Sequence, residues 1–243
     1  MNFIRHLLLL SLLSAGVIQI FAAPAADAPP AVFRLLTLVP ADDLFIDDAR
    51  GASRPVTVSS NRFSAPIPVP KGGTIDLYRF VPAPTPSAPP VRESAIRTSV
   101  PATPGAETLV ILLPRDGAPD PAVLRGPLRP LVIDGSPTAH PLGQMRVFNL
   151  SSREAAFQLG NETAPLPRAR TTLVTIPEVA RPWLSTAILG TEGWQRVGGG
   201  PLTLRPGHRL TLFIVDAPPA EQIDAQPGVS IFRVMDRPPP LPP

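Results

Sequence analysis

Pro66-Ile-Pro-Val-Pro-Lys-Gly-Gly-Thr-Ile-Asp-Leu-Tyr-Arg-Phe80 is the stretch that decides the fold class. Ile67 and Val69 alternate with proline, Lys71-Gly72-Gly73 breaks the pattern, and Ile75 and Leu77 resume it. A period of two is that of a half-buried strand, and glycine supplies the positive φ of a tight turn, so the stretch reads strand, turn, strand. Pro201 to Val215 aligns on it without gaps: Leu202, Leu204, Leu210 and Leu212 fall on Ile67, Val69, Ile75 and Leu77, and Gly207 on Gly72. In this second copy Arg205-Pro-Gly-His208 fits a type II turn, with Pro206 and Gly207 central.

Outward from that hairpin the chain repeats the pattern of short apolar or alternating runs. Strands are predicted at Ala31–Leu38, Leu44–Ile46, Pro55–Ser59, Ile96–Val100, Leu109–Leu113 and Leu131–Ile133. Beyond a junction at Ser136–Pro141 come Met145–Leu150, Ala155–Leu159 with a turn at Gly160-Asn161, Thr172–Ile176, Leu184–Leu189, Leu202–Leu204, Leu210–Val215 and Val229–Val234. The 36 prolines break long helices and suit turns, strand edges and extended connectors. Val81–Pro90 reads as such a Pro-rich connector, and only Ala217–Gln226 offers one short turn of helix. With 44% of residues hydrophobic and gathered into strand-like runs, the chain is not disordered. Many short strands spaced by about 8–12 residues predict an all-β sandwich or barrel.

A second internal register competes with the hairpin alignment. Val32 to Ile46 resembles Met145 to Leu159, and Ala65-Pro-Ile-Pro68 resembles Ala164-Pro-Leu-Pro167. The two registers conflict, so either two tandem sandwiches meet near residues 136–144 or a generic hairpin recurs. The tandem reading divides the chain into a sandwich over 31–135, with its Pro-rich loop at 81–90, a second over 145–235, and a Pro-rich tail over 236–243.

The order of an apolar strand, a short strand of type Leu44-Phe-Ile-Asp-Asp48, and then Pro70-Lys-Gly-Gly-Thr-Ile-Asp-Leu77 resembles bacterial extracytoplasmic β-sandwich domains of uncharacterised function. The resemblance covers Val32–Phe80 and, more loosely, Met145–Ile176. It implies an immunoglobulin-like sandwich and carries over no functional residue.

Arg5, an apolar run from Leu7 to Ala23, and the small residues of Ala23-Pro24-Ala25 have the layout of a secretory signal peptide over 1–25. No charged cluster follows to stop transfer, so cleavage is expected over an uncleaved anchor, and no later segment is apolar enough to span a membrane. The expected location is extracytoplasmic, either periplasmic or secreted. Cysteine is absent, which removes thiol nucleophiles, Cys-based zinc sites, iron–sulfur clusters and a lipidated Cys. A chain of this length buries enough core to dispense with disulfides.

The formal charge is +3, and Lys71 is the only lysine among 22 basic residues. The arginines are scattered, with neither the basic stripe nor the interleaved aromatics that nucleic acid requires. His140 and His208, the histidines after residue 25, are too distant in sequence to form a close metal-binding pair. No Gly-x-Ser-x-Gly elbow is present, and Gly198-Gly-Gly200 lacks the Lys-Ser/Thr of a phosphate loop. Asp42, Asp43, Asp47 and Asp48 are the one metal candidate, a Ca²⁺ loop on one end of a sandwich, set against ordinary solvated turn residues. Trp183 and Trp194 are the only potential sugar platform, and core or hairpin packing is the expectation for both. Asn149-Leu-Ser151 and Asn161-Glu-Thr163 match the glycosylation pattern.

No cofactor and no catalytic residue is expected. The leading functional expectation is an exported, non-catalytic binding or structural module of the cell envelope, with a protein or polysaccharide partner. Two competitors are a periplasmic assembly chaperone of two immunoglobulin-like domains, and a hydrolase with a site around His140, Asp134 or Asp216.

Overall fold

The computed structural model describes residues 29–39, 41–85, 87–114, 128–177, 181–217 and 228–238. The expected signal peptide (1–25) and the expected break at 116–121 lie outside these residues, as do nearly all of the 217–226 segment and most of the 236–243 tail. Among the described residues every regular element is a strand, and no helix is long and apolar enough to cross a membrane.

Among the described residues sixteen strands form four sheets. The first eight are β1 (Val32–Thr37), β2 (Leu44–Asp47), β3 (Ser53–Val56), β4 (Ile67–Pro68), β5 (Thr74–Val81), β6 (Val91–Ser99), β7 (Glu107–Pro114) and β8 (Leu128–Asp134). The second eight are β9 (Gln144–Asn149), β10 (Ala155–Leu159), β11 (Glu162–Leu166), β12 (Thr171–Thr175), β13 (Trp183–Gly190), β14 (Gly193–Pro201), β15 (Arg209–Asp216) and β16 (Val229–Asp236). Sheet A has the order β4-β1-β7-β8 and sheet B β3-β2-β5-β6; sheet C has β12-β9-β15-β16 and sheet D β11-β10-β13-β14. Each strand of C and D stands eight places after its counterpart in A and B, so the chain lays down one sheet order twice.

Finer details repeat too. β1 runs parallel to β7, and β9 runs parallel to β15, while the other pairings are antiparallel. The β5–β6 ladder shifts register between Leu77 and Tyr78, and its counterpart β13–β14 shifts between Thr186 and Ala187. The pairing of Val32–Ile46 with Met145–Leu159 fits this repeat, since it places β1–β2 on β9–β10. The alignment of Pro66–Phe80 with Pro201–Val215 does not, since it places β4 on the non-strand residues 202–203 just past β14, and β5 on β15. What those two stretches share is turn chemistry: Gly72 and Gly207 both take positive φ, +89° and +73°. Ala65–Pro68 and Ala164–Pro167 also differ, the one leading into β4 and the other belonging to β11.

Three apolar clusters stack the sheets in the order B, A, C, D. Phe33, Leu35, Val110 and Leu112 of sheet A pack on Leu44, Ile46, Ile75 and Leu77 of sheet B. Met145, Val147, Leu210 and Leu212 of sheet C pack likewise on Phe157, Leu159, Leu184 and Ile188 of sheet D. The third cluster joins the back of A to the back of C, with Leu36, Leu109, Ile111 and Leu113 against Phe148, Phe213 and Val234. This third contact explains why Thr108–Leu113 and Leu210–Val215 read as near-continuous apolar runs: β7 and β15 are covered on both faces. Phe148 and Phe213 stack within it, centroids 5.2 Å apart.

Some expected elements shift. Ile96–Val100 is the end of a nine-residue strand, β6, whose other residues are mostly exposed because it is an edge. The Pro-rich connector starts after Val81, the last residue of β5. Leu202–Leu204 is not a strand; the preceding Gly193–Pro201 is, and its three consecutive glycines hide it from any strand propensity. β11, which follows the expected turn at Gly160-Asn161, was hidden by its exposed Glu162, Thr163 and Pro165.

Candidate functional site

Charged residues begin or end three apolar strands, and the fold collects them at one end of the A–C contact. Arg209 opens β15, Glu107 opens β7, Asp236 closes β16, and Arg34 lies within β1. Arg209 is fully buried; its Nη2 lies 2.8 Å from Asp236 and 3.2 Å from Glu107, and its Nε donates to Asp236 at 3.1 Å. Arg34 Nη1 bridges the same carboxylates, at 2.6 Å from Asp236 and 3.3 Å from Glu107. Two cations and two anions therefore alternate between sheets A and C.

The same arginine holds the segment joining β8 to β9. Arg209 Nη1 donates to Gly135 O at 2.7 Å and to His140 O at 3.2 Å, while Arg146 donates to Asp134 O at 2.9 Å and to Ala139 O. Gly135 N–H donates to Glu107 O, and a Cβ on Gly135 would come within 2.9 Å of the Leu109 side chain and 3.1 Å of Glu107. Burial raises the Glu107 carboxyl above its usual range, against the pull of Arg209 and Arg34. His140 is fully buried; burial, aided by the charges of Arg146 and Arg209, lowers its imidazole to about 4. Its Nε2 meets the Gln144 carbonyl at 3.3 Å, so Nε2 carries the hydrogen, and Nδ1 has no partner. Neither nitrogen reaches Asp134 or Asp216. Asp134 Oδ1 accepts the Ser136 N–H, and Asp216 lies seven residues along β15 from Arg209, about 24 Å at strand rise. The perturbed groups thus serve a walled-in junction, with no acid–base pair facing a cleft.

At its other end the A–C contact opens into a cleft of about 640 Å³. Leu38, Leu113, Leu131, Ile133, Phe148, Leu150 and Val215 form an apolar floor. Arg129, Arg168, Arg170 and Asp216 supply its charge. The Asp216 carboxylate is already engaged by the Ser152 N–H at 3.0 Å and hydroxyl at 3.1 Å. Arg168 and Arg170 flank Ala169, whose φ of +55° is unusual for a residue with a Cβ. Buried Asn149 fixes this turn: its N–H donates to Arg170 O at 3.0 Å and its Nδ2 to Leu166 O at 2.9 Å. With Nδ2 also donating to Arg153 O, the Asn149 amide is unavailable for glycosylation in the folded chain, whereas Asn161 is exposed.

Neither tryptophan enters the core; both sit on the β13–β14 hairpin. Both are 52% exposed, on the outer face of sheet D. The inward residues of β13 are Leu184, Thr186 and Ile188, so Trp183, Ser185, Ala187 and Leu189 point out. Trp194 pairs with Leu189, six residues from Trp183, which sets the two backbone positions about 20 Å apart. Small or short side chains lie between: Ala156, Ser185, Ala187 and Gly199. Arg196 crosses Gly199 toward Trp183, its guanidinium 5.8 Å from the indole centroid, and Trp183 Nε1 donates to Ser185 Oγ. Gln158 and Thr163 pair on the same face.

The outer face of sheet B carries a tighter aromatic group. Phe45, Tyr78 and Phe80 pack together, and Arg92 lies 3.5 Å over the Tyr78 ring. Asp47, one of the metal candidates, accepts Tyr78 OH at 2.5 Å and Arg92 Nη1 at 2.7 Å; these bonds lower its carboxyl, the Tyr78 bond foremost. Asp48 accepts the backbone N–H groups of Arg50 and Ala52 in the β2–β3 turn. Asp42 and Asp43 are exposed on the approach to β2, Asp43 with φ +55°. Among the described residues no three His, Asp or Glu side chains gather as a metal site.

No family model matches the chain, and no curated protein matches it.

Proposed function

We propose that this is an exported, non-catalytic binding module of the cell envelope, built as two tandem immunoglobulin-like sandwiches over 31–135 and 145–235, which holds an envelope polysaccharide on the outer face of sheet D. The observation that carries the reading is the pair of half-exposed tryptophans on the outward face of one strand pair. Indole faces stack on the apolar faces of sugar rings, and amphipathic aromatics present area at little entropic cost. A separation of about 20 Å with small residues between suits an extended polymer rather than one small ligand. Arg196, Ser185, Gln158 and Thr163 offer hydrogen bonds to hydroxyls or acidic groups along the way. The buried ionic junction supports the reading, since it fixes the face at a set angle to the rest of the chain.

Titration of the purified protein with a soluble fragment of envelope polysaccharide, followed by tryptophan fluorescence, tests this. The expected result is saturable quenching, weakened about tenfold or more by Trp194→Ala, since an anchoring ring contributes upward of about 1.4 kcal/mol. Quenching that no fragment produces, or that Trp194→Ala leaves unchanged, sinks the reading.

One observation favours the chaperone as a second reading. β6 and β14 are nine-residue strands at sheet edges, long enough to accept a client strand.

A further inference from the structure

The cleft between sheets A and C has a different chemistry from the tryptophan face. Its volume, about 640 Å³, lies within the range of small-molecule sites, and its position at the seam of two packed units is where such sites concentrate. Leu131, Ile133, Leu150 and Val215 border the A–C core yet remain partly exposed, so the floor is apolar and wetted. The charge on its walls is predominantly positive, three arginines to one aspartate. The Asp216 carboxylate keeps its charge but accepts two hydrogen bonds from Ser152, and Arg129 Nε donates to Pro114 O at 3.1 Å. Arg168 and Arg170 have no side-chain hydrogen bond or ion pair among the described residues. The backbone carrying them is held in a left-handed conformation at Ala169 and pinned by buried Asn149. Non-glycine residues persist in such conformations where the surroundings over-determine them, and such positions cluster at ligand clamps.

We propose that this cleft binds an amphipathic anion: an unbranched apolar chain lies on the floor, and its carboxylate or phosphate head meets Arg168 and Arg170. An apolar ligand alone leaves both guanidiniums unpaired, and an anion without a tail leaves the floor wet. Arginine suits either head, because its planar fork matches both carboxylate and phosphate oxygens. The proposal stands apart from the polysaccharide reading, since the two surfaces share no residue.

Calorimetric titration of the purified protein with caprylate, caprate, laurate and dodecyl phosphate, all below their micellar concentrations, tests it. Affinity should rise about fourfold per added methylene until the floor is filled. Dodecyltrimethylammonium, with opposite charge and a tail one methylene longer, should still bind at least tenfold more weakly than laurate, and inorganic phosphate should not bind measurably. Arg168→Gln with Arg170→Gln, both at exposed positions, should lower laurate affinity at least tenfold while leaving the thermal midpoint in place. Equal binding of laurate and the ammonium overturns the proposal. So does an unchanged affinity in the double variant, or tighter binding of an apolar peptide with a free C-terminal carboxylate than of laurate.

Discussion

Replacing Arg209 by Met removes a fully buried guanidinium that touches sheet A, sheet C and the segment between them. Six contacts go together: Asp236 at 2.8 and 3.1 Å, Glu107 at 3.2 Å, Gly135 O at 2.7 Å, His140 O at 3.2 Å and Ser136 O at 3.5 Å. Arg34 remains, but it is partly exposed and must then answer two buried carboxylates. Breaking a buried ion pair by deleting one partner costs about 3–5 kcal/mol, because the charge left behind has lost its water. With a urea slope of about 2 kcal/mol per molar, the unfolding midpoint should fall by about 2 M. A second variant separates charge from packing. Glu107→Leu and Asp236→Leu added to Arg209→Met remove the uncompensated anions and leave only Arg34, which is partly exposed and still donates to Ser64 O; apolar replacement of the buried part of an ionic network is close to neutral or favourable. The triple variant should therefore regain most of the lost midpoint. A loss under about 1 kcal/mol for Arg209→Met, or a triple variant that is the sum of three losses, refutes the reasoning.

Two other consequences concern the same junction. His140 titrates at about 4 when folded against 6.5 unfolded, so its neutral form is preferred in the fold; that stability is full above pH 6.5 and lost as pH falls through about 4. The gap corresponds to about 3 kcal/mol, and urea unfolding across pH 4–7 should show His140→Gln lacking this acid-side loss. Glu107 acts in the opposite sense: its raised pKa gives a contribution that is full below 4.5 and lost as pH rises through the folded value, so the variant should show a residual slope of that sign. Gly135→Ala drives a Cβ to 2.9 Å from Leu109 and 3.1 Å from Glu107 O. It should destabilise by about 1–3 kcal/mol and lower the thermal midpoint by about 2–4 °C per kcal/mol; an unchanged midpoint would mean that the segment yields freely.

β10 was legible by alternation, with Ala155, Phe157 and Leu159 inward, whereas β2 and β13 alternate in burial but not in sequence, since Phe45 and Leu189 point outward and Thr186 inward, and read only as short apolar runs. β7 and β15 were legible as strands too, but their doubly apolar character announced a second covering layer that periodicity cannot assign to a partner. β14 and β11 were lost because glycine, proline and charged side chains carry no strand preference, and the ladder to β13 and β10 forms them. The junction was illegible for a related reason. Arg209 sits beside a predicted turn, where a charged residue is ordinarily solvated, and only the stacking of A on C buries it. The signal was an arginine flush against the apolar run Leu210–Val215, with Glu107 in the same place before Leu109–Leu113. Trp183 and Trp194 show the converse. Their size argued for burial, yet the alternation set by Leu184 and Ile188 puts Trp183 outward, and pairing with Leu189 does the same for Trp194.

The most direct test of the polysaccharide-binding account is co-sedimentation of the purified protein with insoluble polysaccharide prepared from the envelope of its own cells. The wild-type protein should pellet with the polymer in a saturable manner, and the Trp183→Ala, Trp194→Ala double variant, still folded by circular dichroism, should stay in the supernatant. Equal pelleting of the two proteins, or a wild-type protein that stays soluble at every polymer concentration, would contradict it.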